Sequence, residues 1–541
     1  MLGIDGIPAP GAKGDAMVPL PRLTPETLDF VLLSFEGPDQ YAMAGGLGVR
    51  MKELSLELAR QGFRTHLVFV GDPGLPGEES PAANLTLHRW SQWLSAHYPA
   101  GVYDGEEAKL VDWNEQAPEF VVSRLVAPAA QQGRVTAILA EEWHTAYSTC
   151  QISDRLWAGG LRDKALLLWN ANNVMGFDRV DWGRLGYCAQ ITTVSRYMKH
   201  VMWDRGVNPL VIPNGISTDR IRDADPGLAA RARAAFPGRE LVFKIGRFSP
   251  DKRWIMAIDA LAEEKRRNHG VAAVVRGGLE PHGMEVLDRA RALGLTVTDL
   301  ELPRDPAATV AALEAASQAD IYNVTSFMFD DVVSLLYSAA DAVLANSGHE
   351  PFGLVGLEVM AAGGVAFLGA TGEDYGVSFL NSVVLDTNDP LEICVALDFL
   401  RAHPDVVQRL RIEARETARS FTWQNVVADN LLNRLQYVAL RQLVVTPPRE
   451  STPGPAGSGE TLWPATAAAG PPGSGSGVDS TGGASSGREP KSLAYGGRST
   501  TRPLAVRPRL AEPDVPPPGV QKKRAATPKG PRPKKPLDPS G

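Results

Sequence analysis

Two glutamates eight residues apart, Glu350 and Glu358, stand in the stretch GHEPFGLVGLEVMAAGG. Pro351 suits a first helical turn, where its missing N–H costs nothing. Phe352, Val355, Val359 and Met360 then recur at helical spacing. This pattern predicts a helix from Pro351 whose leading amides, at Phe352, Gly353 and Leu354, form an anion site. Glu358 lies just over two turns beyond Glu350, so the two acids would reach different parts of one ligand. Arg247 and Lys252 bracket another strand-to-helix turn. Arginine can grip a phosphate through two parallel N–H bonds, and lysine acts as a point charge. Gly45-Gly46-Leu47-Gly48 forms a third turn of this kind, where missing side chains let the backbone approach a ligand. His144 follows the apolar run VTAILAEE. A lone histidine at a strand end is ordinarily a packed or solvent-facing residue.

Strands and helices must carry these groups. DFVLLSFE (29–36) and RTHLVFVG (64–71) read as strands. Between them, GVRMKELSLELARQG places Met51, Leu54, Leu58 and Ala59 at helical spacing, which makes a right-handed parallel βαβ unit. VTAILAE, KALLLWNANN (164–173) and AQITTVS (189–195) continue the alternation. A second series follows with LVFKIGR (241–247), AAVVRGG (272–278), DAVLAN (341–346), VAFLGA (365–370) and SVVLD (382–386). Asp330-Asp331 opens a helix over 330–339, where acids favour the dipole, and is not read as a metal site. Trp90, Trp93, Tyr98, Tyr103 and Trp113 read as packing residues, although aromatic faces can also stack on sugars. TWQNVVADNLLNRLQYVALRQLV (422–444) predicts a long amphipathic helix.

The string from Glu350 to Gly363 resembles the E-x7-E signature of retaining GT-B glycosyltransferases, the glycogen and starch synthases among them. The resemblance implies that Glu350 sits against the donor sugar and that Glu358 holds the nucleotide ribose. Gly45, Gly46 and Gly48 resemble the Gly-Gly-Leu-Gly loop of those synthases, which faces donor phosphates and acceptor. Met43 stands where the family usually has lysine. Glu142-Trp143-His144-Thr145-Ala146 resembles the family's Asp-Trp-His-Thr-Ala, which implies that His144 lies beside the donor sugar. Arg247 and Lys252 resemble the Gly-Arg…Lys element that grips the diphosphate, with Arg253 in place of the usual glycine. Thr371-Gly372 resembles a further turn near the phosphates, in the form TGEDYG. The family resemblance spans roughly residues 29 to 443.

The three cysteines, Cys150, Cys188 and Cys394, show no metal or redox spacing and read as small buried hydrophobes. No apolar run is long enough to span a bilayer, and MLGIDGIPAPGAKGD has no secretory-leader pattern, so the expected setting is cytoplasmic. From Thr446 onward 14 Lys/Arg face 7 Asp/Glu, so a chain of net charge −7 combines a tail of about +7 with a body near −14. An acidic body excludes nucleic acid as the main partner.

The expectation is an α/β GT-B architecture, two Rossmann-like domains facing across a cleft. The expected division is an arm over 1–27, an acceptor domain over 28–216 and a linker over 217–240. A nucleotide-sugar domain over 241–421, a crossover helix over 422–445 and a disordered basic tail over 446–541 follow. The resemblance implies retaining transfer of a hexose, glucose first among them, from a nucleoside diphosphate sugar to a carbohydrate acceptor, without cofactor or metal. Arg247, Lys252 and the amides at Phe352 to Leu354 would stabilise the leaving diphosphate. No second nucleophilic carboxylate is evident. The alternatives are a non-catalytic GT-B carbohydrate-binding or scaffold protein, or another GT-B enzyme such as a nucleotide-sugar epimerase.

Overall fold

A computed structural model describes residues 23–222 and 224–442 of the chain. The arm up to residue 22 and the basic tail from Thr446 lie outside the described residues. Strand β1 (Leu28–Leu33) is buried at every position, as a strand covered by helices on both faces must be. With it run β2 (Arg64–Val70), β3 (Glu78–Ala82), β4 (Leu85–Trp90), β5 (Val135–Glu141), β6 (Ala165–Ala171), β7 (Gln190–Thr193) and β8 (Leu210–Val211). They form one sheet in the order β3-β4-β2-β1-β5-β6-β7-β8, parallel except for the antiparallel β3–β4 pair. That hairpin was not read from the sequence, because its outer strand is polar and exposed.

The second sheet comprises β9 (Glu240–Ile245), β10 (Val271–Arg276), β11 (Val297–Leu300), β12 (Ile321–Val324), β13 (Ala342–Ala345), β14 (Ala366–Gly369) and β15 (Val383–Leu385). Its order is β11-β12-β10-β9-β13-β14-β15, with every pair parallel. In each sheet the chain leaves the central strand on one side and returns on the other. The reversal falls between β1 and β5, where Leu33 lies opposite Ala140, and between β9 and β13, where Phe243 lies opposite Val343. Loops leaving the carboxyl ends of such a strand pair diverge and open a crevice. Glu36 to Gly48 follow β1, and Glu142 to His144 follow β5. Arg247 to Lys252 follow β9, and Gly348 to Leu354 follow β13. The topology therefore brings the predicted residues to two switch points.

The chain crosses between the sheets twice, and the crossings are stitched together. Ile216 N–H donates to Phe421 O at 2.9 Å and Trp423 N–H donates to Ile216 O at 3.0 Å. Beyond them a helical segment packs on the first sheet, burying Trp423, Val427, Leu431 and Leu435 in that sheet's core. Gln442 anchors its end by bonding both the N–H and the C=O of Leu167. The expected single helix carries a π turn at Val426–Leu431, a local widening of the α-helical ladder.

Candidate active site

The helix after β13 begins at Leu354 and not at Pro351. Gly353 caps it at φ +81°, a left-handed conformation, with its would-be Cβ position 2.5 Å from Glu373 Cγ. Only glycine meets both conditions without strain. Glu350 consequently sits in the turn before the helix, and Glu358 alone is on it. The two glutamates are not two teeth of one helix, which corrects the reading from spacing.

Glu350 is fixed from two directions. Its N–H donates to Thr371 Oγ1 at 3.0 Å, and its carboxylate Oε2 accepts from Lys252 Nζ at 2.6 Å. Lys252 closes a short 3-10 turn after β9, and the following Arg253 adopts φ +48°. Arginine here takes the left-handed geometry that a glycine would supply, so the turn is kept despite the residue. Arg247, Lys252, Glu350 and the Pro351–Val355 turn form one wall of a cleft of about 360 Å3.

The opposite wall comes from the first sheet. His144 Nε2 lies 2.7 Å from Glu106 Oε1, and its ring is stacked between Phe35 and Trp143 at 4.3 and 3.9 Å. Burial pulls its pKa below the usual histidine value, with Glu106 opposing the shift. His144 and Trp143 line the cleft, as do Glu142, Asn172, Tyr103 and Glu36. Glu142 holds φ +64° and ψ +167°, a region that side-chain-bearing residues rarely visit. Burial pushes its carboxyl up to about 8 even though Asn172 N–H donates to it at 2.7 Å.

The glycine turn behaves differently from the expectation. Both Gly45 N–H and Gly48 N–H donate to Glu36 Oε2 at 2.9 Å, and Tyr103 Oη donates to Glu36 Oε1 at 2.6 Å. An internal carboxylate thus fills the turn that the resemblance assigned to donor phosphates. Only Gly48 is held to glycine by contacts, its Cβ position lying 3.0 Å from Met43 Cγ; Gly45 and Gly46 face open space.

Two other predicted residues lie off the cleft. Thr371 bonds the Glu350 backbone and Glu373, and so positions Glu350. Glu358 lines a neighbouring cavity of about 260 Å3 with Tyr337 and Asp330, where Arg220 Nη1 pairs with it at 3.2 Å. Burial raises the Glu358 carboxyl to about 7, Arg220 opposing the shift.

Three residues lining the cleft, and a buried lysine in β9, are not singled out by the sequence. Glu36 reads as part of the first strand and Tyr103 as a packing aromatic, although Tyr103 is 40% exposed and bonds Glu36. Glu142 stands where the family motif has aspartate. Lys244, within β9, donates to Leu344 O and Asn346 Oδ1 at 3.0 and 2.6 Å, and burial lowers its pKa to about 7. The one available signal was a lysine interrupting the apolar run LVFKIG. Cys150 and Cys188, remote in sequence, are brought together by the packing of their helices.

Two family models match in tandem. Glycosyltransferase Family 4 matches residues 44–220 and Glycosyl transferases group 1 matches residues 229–373. The chain belongs to the group 1 glycosyltransferases. This group 1 glycosyltransferase is 25% identical over 442 residues to a D-inositol 3-phosphate glycosyltransferase of Geodermatophilus obscurus, covering 76% of this chain and 88% of the relative. It is 26% identical over 428 residues to the protein of the same name from Saccharomonospora viridis, covering 72% and 88%. Among solved structures, sucrose-phosphate synthase from Thermosynechococcus elongatus superposes with a TM-score of 0.53 at 18% identity, over 76% of this chain and all of that one. The catalytic domain of starch synthase IV from Arabidopsis thaliana, bound to ADP and acarbose, gives 0.55 at 14% identity over 77% and 99%. These likenesses identify the fold as GT-B. The enzyme is a glycosyltransferase that uses a nucleotide sugar.

Proposed function

We propose that this glycosyltransferase moves a hexose, with retention of configuration, from a nucleoside diphosphate sugar to a carbohydrate acceptor in the cleft between its two sheets. The observation that carries the reading is that Arg247, Lys252 and Glu350 share one cleft with His144, from two separate domains. Breaking a sugar–diphosphate bond builds negative charge on the leaving oxygen. Preorganised cations at that position act most strongly in the transition state. Arg247 and Lys252 supply those cations, and the leading amides of the Leu354–Ala361 helix point the same sign of dipole. Glu350, held by Lys252 and Thr371, supports the electron-poor sugar. His144, neutral and clamped by Glu106, orients the sugar from the other side.

Retention rests on the family resemblance at Glu350 to Gly363. Attack then occurs on the face the diphosphate leaves. The starch-synthase-like arrangement of motifs favours glucose as the hexose and a glucan-like acceptor, while the relatives' name carries an inositol phosphate. Ribose recognition by Glu358 belongs to the same proposal, with Arg220 as its competitor.

The test is incubation with a panel of nucleoside diphosphate sugars and acceptors, following diphosphate release and the anomeric configuration of the product by NMR. Release coupled to a product of retained configuration supports the reading. A product of inverted configuration overturns retention, and no release with any donor returns the protein to a binding or scaffold role. Interconversion of the donor sugar without transfer would make it an epimerase.

A further inference from the structure

We propose that the acceptor is an unphosphorylated carbohydrate, received by a first-sheet wall that offers hydrogen-bond acceptors and no cation, with Glu36 as the residue that turns phosphate esters away. The inference rests on the transferase reading above and names its acceptor class.

Among the described residues, no first-domain residue lining the cleft is lysine or arginine. The cations nearby are committed elsewhere. Arg50 bonds Glu141 and Asn214. Lys109 is buried and donates to the Tyr41 hydroxyl and to three backbone carbonyls. Arg179 pairs with Glu107 through two nitrogens and lies over the Trp143 ring. The cations lining the cleft, Arg247 and Lys252, stand on the opposite wall, Lys252 paired with Glu350, where the leaving diphosphate needs them.

Backbone amides could have compensated, since a strand-to-helix turn is a ready anion site. Here two of its amides are already taken. Glu36 takes the amides of both Gly45 and Gly48, and the Tyr103 hydroxyl completes its shell. A phosphate monoester brings close to two negative charges and almost nothing but acceptor oxygens. Placed against this wall it would meet the Glu36 carboxylate, with the Gly45 and Gly48 amides already taken. A sugar hydroxyl brings a donor.

Unmet acceptors in the same wall point the same way. With Glu106 accepting from His144 Nε2, the neutral ring leaves Nδ1 as an acceptor, and Nδ1 has no partner. Asn172 Oδ1 likewise has none. Both atoms are buried on residues that line the cleft, and buried acceptors left unpaired are costly enough to favour a ligand or water that brings donors. Tyr103 and Trp143 add aromatic faces suited to the C–H side of a sugar ring.

Initial rates of transfer to free glucose, a glucan and free inositol, set against glucose 6-phosphate and inositol 3-phosphate, test the proposal on the full chain. The expected result is at least a tenfold higher kcat/KM for the best unphosphorylated acceptor. Equal or better use of a phosphate ester overturns the proposal and leaves the transferase reading intact. No transfer and no diphosphate release with any acceptor defeats the transferase reading itself. Glu36→Gln removes the charge and keeps the shape, and should narrow the preference at least fivefold; an unmoved preference would show that Glu36 does not set it. Should that variant fail to fold, the salt dependence of the unaltered enzyme decides. Repulsion is screened by salt, so the KM or inhibition constant of the phosphate ester should fall, relative to the neutral acceptor, from low to high ionic strength. A rise would reveal a cationic site and sink the idea.

Discussion

After β1 and after β13 the chain makes the same move, from a strand at a switch point through a glycine-bearing turn into a helix. The ends differ. In the first domain the amides of Gly45 and Gly48 are occupied by Glu36, and the neighbouring side chains are carboxyls, amides and aromatics. In the second domain the turn before Leu354 faces Arg247 and Lys252, with Glu350 bridged to the lysine. One topology thus yields a wall carrying two cations and a wall carrying carboxyls, amides and aromatics. The backbone provides the same dipole at both helices, and the side chains that reach each turn decide whether it is used.

The largest expected effect comes from removing the anion-binding wall. Arg247→Ala or Lys252→Ala should each lower kcat/KM by roughly two orders of magnitude, about 3 kcal/mol, the scale of losing one preorganised donor. Product nucleoside diphosphate should bind more weakly in both, and the double variant should fall short of additivity because both cations act on one leaving group. Glu350→Gln should spare diphosphate binding and reduce turnover. Product-inhibition constants unchanged in the cation variants would show that the diphosphate is held elsewhere.

The other wall should respond differently. His144→Ala should lower kcat by roughly 10- to 100-fold while nucleotide affinity, measured by calorimetry, stays near its original value, if His144 faces the sugar as proposed. Loss of nucleotide binding together with loss of folding would instead make His144 a core residue, as its stacking on Phe35 and Trp143 allows.

Backbone geometry separates the turns further. Gly353→Ala should destabilise the protein by about 1–3 kcal/mol, because φ +81° is strained for alanine and its Cβ would meet Glu373. Gly46→Ala should cost much less, since nothing lies within 4 Å of its Cβ position. Denaturant midpoints for the pair would settle whether the second turn is the more rigid.

A further effect is on pH dependence. Burial raises Glu142 and Glu373 to about 8 and Glu358 to about 7. A folded-state carboxyl pKa above the unfolded value contributes stability at low pH that is lost as pH rises towards the folded value. Stability should therefore decline from pH 5 to pH 8. Lys244, lowered to about 7, acts with the opposite sign, favouring folding as pH rises from 7 towards its unfolded value near 10.5. Urea midpoints should fall across pH 5–8 and recover in part above it as Lys244 contributes, and Glu142→Gln should make the fall shallower. A midpoint that climbs steadily from pH 5 to pH 8 would contradict the burial of these acids.

Local sequence determined the strands, because continuous apolar runs such as VLL and AVLA have no stable home except the middle of a covered parallel sheet. It also determined the residue types of the anion-binding wall, since Arg247, Lys252 and Glu350 each stand beside a turn that a strand-to-helix pattern announces. Tertiary structure decided what those turns do. Glu36 reaches Gly45 and Gly48 from the carboxyl end of β1, and Tyr103 joins it from a loop 67 residues away in sequence. Glu358 meets Arg220 where the linker folds back, which moves it off the cleft. The helix starts at Leu354 because Gly353 turns left-handed against Glu373 and Tyr375. Periodicity reports which face of an element is buried, but it is blind to which distant side chain satisfies an amide, and that pairing separates the two walls of this cleft.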